Sequence, residues 1–293
     1  MDKQLFNNIL NKYPQVGLPI KEGIKNTEEY KNAVLRGKEI KKISNDFSES
    51  KDDYIEVVET PAGDASILYI DDRKDFETAI QKLAHKCEPT NIPASMGAST
   101  ISGLINWEKI HNHEKEYKDN GGAFWDIEFH MFTEDASNYK DSLIILSGGD
   151  YSAVCTKDIN KQLEKEEKSL SEEEWKQASI EIRKYHELTH FICQRLYPDH
   201  KSAIRDEIIA DAIGIIAAFN SYKPKIAKLF LGLEGRTYRE GGRLQNYYFD
   251  QEPKSVQKNA RELIEEISNF LKDKTKVNIY DTIKLIEDNK VGL

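Results

Sequence analysis

Two histidines four residues apart, followed by two acidic residues with the same spacing, constrain this chain more than any other feature of its sequence. They lie in KYHELTHFICQRLYPDHKSAIRDEIIADAIGIIAA, residues 184–218. Residues four apart on an α-helix lie one turn above each other on one face, so His186 and His190 can present two imidazole nitrogens to one metal ion. The sequence therefore predicts two consecutive helices built around a metal.

Glu207 and Asp211 open the second helical segment, EIIADAIGIIAAF, and share one face of it. Two imidazoles leave a catalytic zinc site one protein ligand short, and Glu207 is the candidate for that position. A ligating His commonly donates its other ring N–H to a carboxylate, and Asp211 has the spacing to accept that bond from His186. Glu187, next to the first His, is predicted to act as a general base on a water at the metal rather than to bind the ion.

HELTH followed by EIIAD resembles the gluzincin metallopeptidases, the thermolysin-like group in which HExxH is followed on the next helix by Glu-x-x-x-Asp. The resemblance is limited to residues 184–218, and it implies a zincin-like fold and one Zn²⁺. The metzincin pattern is not met, because Cys193 and Leu196 stand where it requires Gly and His. By this resemblance, the zinc ligands are His186, His190 and Glu207. Glu187 is the general base, and Asp211 is the carboxylate that hydrogen-bonds to a ligand.

An oxyanion donor is a further requirement of peptide-bond hydrolysis, and gluzincins commonly supply a Tyr or His from beyond the third ligand. Arg and Tyr residues are concentrated in RTYREGGRLQNYYFD, residues 236–250, around two glycines that would let the segment fold back over the site. Tyr247 and Arg243 are predicted to supply the donor, unless the segment is a surface loop whose aromatic residues pack on the core. The sequence leaves open four further candidates: Tyr238, Tyr248, Tyr197 and His200.

The charge of the chain bears on its partners. Its 293 residues carry a net charge of −9, and 32% of them are charged. Such a surface disfavours the phosphate backbone of nucleic acid or an anionic membrane as a partner. We therefore expect a peptide or protein substrate, no nucleic acid and no membrane, and the oligomeric state stays open.

The amino-terminal segment and the cysteines bear on location. MDKQLFNNILNKYPQ has no basic region followed by an apolar core, and no window approaches the ~20 apolar residues of a membrane span. Cys87, Cys155 and Cys193 are widely separated and form no CxxC, so we expect reduced thiols and a cytoplasmic protein. Cys193 lies one turn past His190 and is an alternative metal ligand, although such a Cys is more often a small core residue.

The first half of the chain is predicted to form a mixed sheet. Tyr54–Val58 and 66–70 are β-branched segments joined by TPAGD, residues 60–64, which is typical of a hairpin. The segment 124–132 alternates apolar and polar residues and 143–146 is a compact apolar run, so both are predicted as strands of one sheet, either at its edge, where substrate backbone can add, or in its interior. Helices are expected at 27–43 and 75–86. A tight loop that can line a cleft is expected at 93–103.

The second half is predicted to be helical. Ser171 and Glu174 form a capping box that begins the zinc helix, and glycine ends a helix that starts near Pro224. Further helices are expected at 158–168, 255–272 and 279–289. The predicted fold class is α+β, with a zincin-like body. Residues 1–160 are expected to form an N-terminal lobe with a mixed sheet, and residues 161–293 a helical C-terminal lobe that carries the zinc helices. The active-site cleft is expected between the two lobes. We expect the two lobes to form one compact unit.

The function predicted from these features is a zinc-dependent hydrolase of peptide bonds, in which Glu187 is the general base for a metal-activated water. A carboxylate-bridged di-iron oxidase is an alternative, because Glu187-x-x-His190 and Glu108-x-x-His111 are two ExxH motifs. That alternative leaves His186 without a role. A non-catalytic binding protein pinned by zinc is the other alternative, and the presence of Glu187 counts against it, because a structural site needs no base.

Overall fold

The computed structural model describes residues 1–94, 96–164, 167–200, 202–249, 251–272 and 278–293. These residues fall into two compact units. The first comprises Met1–Val58 and Ala65–Ser147, and the second comprises Glu59–Asp64 and Gly148–Leu293. The chain thus passes into the helical unit after Ser147, whereas the expected boundary followed residue 160. The turn of the predicted hairpin, Glu59–Asp64, belongs to the second unit.

The first unit contains a four-stranded mixed sheet, which confirms the predicted α+β class. Its strands are β1 Tyr54–Val58, β2 Ala65–Ile70, β3 Ala98–Ile105 and β4 Lys140–Ser147, and their order in the sheet is β1-β2-β4-β3. Strand β1 pairs antiparallel with β2 as the predicted hairpin, β2 pairs parallel with β4, and β4 pairs antiparallel with β3. The leucines and isoleucines at 143–146 are fully buried, as expected for an interior strand covered on both faces.

Helices of the first unit pack on this sheet. Phe6, Phe76 and Ile80 of these helices share one hydrophobic cluster with Leu68 of β2 and Ile145 of β4. The helices are α1 Lys3–Lys12, α2 Glu28–Tyr30 with a π-helical continuation Lys31–Leu35, α3 Arg73–Leu83, α4 Trp107–Asp119, α5 Trp125–Glu134 and α6 Ala136–Tyr139.

The helix predicted at 27–43 is shorter than expected. Thr27 caps it as predicted, since its side chain accepts a hydrogen bond from the N–H of Tyr30, but the helix ends at Leu35. Gly37 follows with a φ of +60°, and a Cβ there would lie 2.3 Å from the Trp107 ring. The chain therefore turns out of the helix where only glycine fits against that indole. The helix predicted at 75–86 is confirmed as α3.

The segment 124–132 was predicted as a strand, and this prediction is wrong: it forms α5. Its aromatic residues Trp125, Phe129 and Phe132 are spaced i, i+4 and i+7, a helical spacing hidden in the apolar–polar alternation. Trp125 and Phe132 pack on α4, where the His113 ring stacks on Phe132 with the centroids 4.1 Å apart. The Nε2 atom of His113 lies 2.7 Å from the Glu128 carboxylate, which ties the two helices together.

The segment 93–103 was predicted as a tight loop that can line a cleft, and its second part is instead edge strand β3. Ser95 lies outside the described residues. The small residues Ala98, Ser99 and Thr100 pair in register with β4. Gly103, with a φ of +80°, lies at the register shift between Ser102 and Leu104. Pairing with β4 therefore outweighs the low strand propensity of this segment.

The second unit is helical, as predicted for that part of the chain. The helix expected at 158–168 is present only as a short helix at its start, and residues 165–166 lie outside the described ranges. None of the helices in the described ranges combines the length and apolar character needed to cross a membrane. The helices are α7 Thr156–Asn160, α8 Glu172–Leu196, α9 Ala203–Phe219, α10 Pro224–Leu231, α11 Pro253–Leu271 and α12 Ile279–Asp288, with 3₁₀ turns at Tyr151–Ala153 and Arg243–Tyr247.

The beginning of α8 follows the sequence prediction. The side chain of Ser171 accepts the N–H of Glu174 at 3.2 Å, and the Glu174 carboxylate accepts the N–H of Ser171 at 2.8 Å, which completes the predicted capping box. One turn later the Trp175 indole, fully buried, donates to the carbonyl of Val154 at 2.7 Å. The cap and the indole fix where the helix begins and how it is oriented within the unit.

Helices α8 and α9 approach each other closely at Gly214. A Cβ at this position would lie 2.5 Å from the carbonyl oxygen of Ile182, so only glycine allows the contact. His186 lies one turn after Ile182 on α8, and Asp211 lies close to one turn before Gly214 on α9. The close approach therefore brings the His face of α8 against the acidic face of α9.

Candidate metal centre

His186, His190 and Glu207 form one compact group between α8 and α9. One ligand atom from each lies within 4.8 Å of the others. The two Nε2 atoms are 3.1 Å apart, and the Glu207 oxygens lie 3.5 Å from Nε2 of His186 and 3.4 Å from Nε2 of His190. Ligands about 2.1 Å from a tetrahedral metal are roughly 3.4 Å from one another, so the three side chains are spaced to share one ion.

The electrostatics of the group suit a cation. Burial acts to raise the pKa of Glu207, but the hydrogen bond with His190 and the charge of His186 lower it to about 2. Burial acts to lower the pKa of His190, and Glu207, through its hydrogen bond and charge, raises it above its ordinary value. The lowered pKa of Glu207 keeps a negative charge at the group, which favours a bound cation.

Asp211 makes the contact with His186 that its spacing predicted. Its Oδ1 atom lies 3.0 Å from Nδ1 of His186, the ring nitrogen that faces away from the ligand group. The side chain is fully buried. Burial acts to raise the pKa of Asp211, but the charge of Arg243 and the hydrogen bond from His186 hold it well below its usual range. Asp211 is therefore a carboxylate at ordinary pH.

Tyr151 also contacts His186, and sequence reasoning did not single it out. Its hydroxyl donates to Oδ1 of Asp211 at 2.7 Å and lies 2.9 Å from Nδ1 of His186. It belongs to the 3₁₀ turn Tyr151–Ala153, and its own N–H donates to the Ser179 hydroxyl at 3.1 Å. No spacing rule joins Tyr151 to a residue 35 positions later, so only the tertiary structure identifies it.

Arg243 lies where the predicted segment folds back on the centre. Its Nη2 atom pairs with Oδ2 of Asp211, and its Nη1 atom donates to the Tyr151 hydroxyl at 2.9 Å. Both terminal nitrogens of the guanidinium are therefore engaged by groups that contact His186. Arg243 is close to the ligands, but its contacts are with the partners of one ligand.

Tyr247 lies one turn after Arg243 and hydrogen-bonds to Glu207. Burial and the charge of Glu207 both raise the pKa of its phenol, so the hydroxyl keeps its proton and can donate. The other four candidates for a donor contact groups outside the ligand group. Their partners are the carbonyl of Gly242 for Tyr238, Gln257 for Tyr248, Asp288 for Tyr197 and Glu287 for His200.

Glu187 is half-buried on α8 beside the ligands, and its charge contributes to the raised pKa of His190. Cys193, the alternative ligand, points its Sγ atom to Glu287 at 3.7 Å. Within the described ranges, His186, His190 and Glu207 are the only group of three or more His, Cys, Asp or Glu side chains placed to share an ion.

The sequence matches a family of unknown function, DUF7005, over residues 1–285. The chain belongs to DUF7005. No curated protein and no solved structure matches it.

The centre of this DUF7005 member can offer two imidazole nitrogens and one carboxylate oxygen to an ion. Such a mixed nitrogen and oxygen set suits a transition metal or zinc better than calcium or magnesium, which prefer oxygen ligands alone. Three protein ligands leave a position for water or substrate in a four-coordinate ion. Glu187 lies on the same helix as the two histidines, and its charge acts on His190.

Proposed function

We propose that the protein is a zinc-dependent hydrolase of peptide bonds, of the gluzincin type. The observation that carries the proposal is the convergence of His186, His190 and Glu207 at separations of 3.1–3.5 Å, from two consecutive helices. Two imidazole nitrogens and one carboxylate oxygen match the ligand set of several zinc hydrolases. Zinc, when bound, supplies a Lewis acid that lowers the pKa of water and polarises a carbonyl.

Glu187 is the general base in this proposal. Its carboxylate takes the proton of the attacking water and returns it to the leaving amine. Glu207 and Asp211 are unsuited to that role, because their pKa values lie far below neutrality and such carboxylates accept protons weakly. Glu187 directly follows His186 on α8 and is half-buried there, as the proposed base role requires.

Tyr247 is the proposed donor to the oxyanion. Its hydroxyl already donates beside the ligand Glu207, and its raised pKa keeps the proton in place. To stabilise the oxyanion, that proton turns from Glu207 to the developing charge. Arg243 is the weaker choice of the two, because its terminal nitrogens contact Asp211 and Tyr151 rather than the ligand group.

The remaining parts of the proposal rest on the sequence. The substrate is a peptide or protein, and the net charge of −9 argues against nucleic acid. A zincin-like body belongs to the same proposal, as does a cytoplasmic location, which rests on three scattered cysteines without a CxxC motif.

Metal analysis of single variants tests the proposal. The wild-type protein is expected to bind one zinc, and His186→Ala, His190→Ala and Glu207→Ala to lose most of the bound metal, because two ligands hold zinc much less tightly than three. His200→Ala is the matched control, since His200 contacts Glu287 instead. Full zinc occupancy in Glu207→Ala would remove the gluzincin assignment.

A further inference from the structure

We propose that Tyr151 and Arg243 are positioning residues that, together with Asp211, hold His186 in the orientation and tautomer that bind the metal. This inference rests on the proposed function, since it requires His186 to be a ligand. Its basis is a closed set of contacts: Tyr151 to His186 at 2.9 Å, Tyr151 to Asp211 at 2.7 Å, and Arg243 to both Tyr151 and Asp211.

The positions of the protons follow from these contacts. The Tyr151 hydroxyl has one proton, which it donates to Oδ1 of Asp211 at 2.7 Å. The same Oδ1 atom lies 3.0 Å from Nδ1 of His186, where an unprotonated nitrogen would face a carboxylate lone pair. A proton on Nδ1 removes that repulsion and is shared between Asp211 and the Tyr151 oxygen. Nε2 then keeps its lone pair for the metal.

Asp211 alone would be free to rotate about its side-chain bonds, whereas here both of its oxygens are held. Oδ1 accepts from Tyr151 and His186, and Oδ2 pairs with Arg243. The charge of Arg243 also offsets the cost of burying this carboxylate completely. Two-point contact by a planar guanidinium fixes a direction, which a single ammonium cannot do.

The Tyr151 hydroxyl is itself held in place. The ring is buried and packs edge-on against Phe230, with the centroids 4.8 Å apart. Its backbone N–H donates to Ser179 on α8 at 3.1 Å, and the Arg243 guanidinium lies 5.4 Å over its ring. A hydroxyl fixed from three directions is able to fix the imidazole beside it.

The backbone on both sides of Arg243 is tightly packed. A Cβ at Gly242 would lie 2.8 Å from the Cα of Gly232, so the residue before Arg243 is pressed against the end of α10. Leu244, the residue after it, is fully buried. The guanidinium therefore reaches Asp211 from a fixed backbone.

The test is zinc affinity, measured by competition with a chelating dye, for Tyr151→Phe, Arg243→Met and Arg243→Lys. We expect each to bind zinc about 10- to 100-fold more weakly than wild type. Arg243→Lys should not rescue, because a lysine keeps the charge and loses the two-point contact. A purely electrostatic role would be rescued by that lysine and would overturn the positioning role of Arg243.

The chain offers matched controls. Tyr222→Phe removes another buried tyrosine hydroxyl, one that has no hydrogen-bond partner among the described residues. Arg239→Met removes an arginine of the same segment that pairs with Glu234 rather than Asp211. Both controls are expected to keep wild-type zinc affinity. Equal weakening in the controls would show a general loss of packing and would overturn the inference.

A second readout separates positioning from fold stability. Long-range ¹H–¹⁵N spectra of the metal-free protein should show His186 with its proton on Nδ1 in the wild type and a mixture of tautomers in Tyr151→Phe. Wild-type protein that binds no zinc would overturn the proposed function, and this inference with it. If the wild-type protein binds zinc and both Tyr151→Phe and Arg243→Met bind it with the same affinity, this inference is overturned and the proposed function is not.

Discussion

The three carboxylates at the centre have three different environments. Glu207 faces both imidazoles, and Asp211 is fully buried between His186 and Arg243. Glu187 is half-buried and takes no part in the ligand group. Under the proposed function, these environments distinguish a metal ligand, a carboxylate that orients a ligand and a general base.

Glu187→Gln should keep zinc and fold and lose nearly all hydrolysis of a susceptible peptide. The amide preserves the shape of the side chain but cannot accept the proton, and loss of a general base typically lowers turnover by about 10²- to 10⁴-fold. Zinc content and the rate of peptide cleavage, measured on one preparation, check the expectation. Unchanged turnover would exclude Glu187 as the base.

At this scale, local rules identified some residues of the centre and not others. His186, His190 and the Glu207–Asp211 pair follow from four-residue spacing on a helix, a rule that acts within one turn. Tyr151 and Arg243 lie 92 residues apart and meet only through the packing of the second unit. Their partners are set by tertiary contacts, which no local spacing encodes.

The capping box of α8 makes a prediction about pH. The hydrogen bonds from Lys168 and from the backbone of Ser171 lower the pKa of Glu174 to about 2, from an ordinary value of 4.5. A carboxylate with a depressed folded-state pKa contributes stability above the unfolded pKa, and this contribution is lost as the pH falls through the folded pKa. Between pH 4.5 and 2, wild type should therefore lose more stability than Glu174→Gln. Urea denaturation of both proteins across that window checks it, and parallel curves would contradict it.

Gly214 makes a prediction about the packing of α8 on α9. Gly214→Ala gains about 1 kcal/mol of helix propensity. It also places a Cβ 2.5 Å from the carbonyl of Ile182, and forcing the helices apart costs typically about 1–3 kcal/mol. We expect net destabilisation and weaker zinc binding, because the His face moves away from Glu207.

Thermal melting and zinc titration check the Gly214→Ala prediction. Gly149→Ala is the control, since a Cβ at Gly149 meets nothing within 4 Å. A variant at Gly214 that melts and binds zinc like wild type would mean that the helices have room to adjust.

The elements that sequence patterns predicted well are those whose own residues decide their structure. The capped α8, the apolar α9 and the hairpin of β1 and β2 carry their signals locally. The segment 124–132 and strand β3 do not carry such local signals. Contacts with α4 make the first a helix, and pairing with β4 makes the second a strand. Their conformations are therefore set by neighbours distant in sequence.

For the whole molecule, the ligands all belong to the second unit, which predicts where zinc stabilises the chain. Zinc at 100 times its dissociation constant should stabilise the state that binds it by about 2.7 kcal/mol. Hydrogen exchange should slow most in α8 and α9 on addition of zinc and change least in the sheet strands. Uniform slowing over both units, or slowing in the sheet alone, would contradict a centre held by these two helices.

The distance along the chain between Tyr151 and Arg243, 92 residues, has a consequence for biosynthesis. Synthesis proceeds from the amino terminus, so a nascent chain that has emerged as far as Phe219 carries all three ligands without Arg243 or Tyr247. Zinc that meets such a chain finds His186 held only in part. Under the proposed function, a prematurely terminated product that lacks Arg243 would bind zinc more weakly than the full chain.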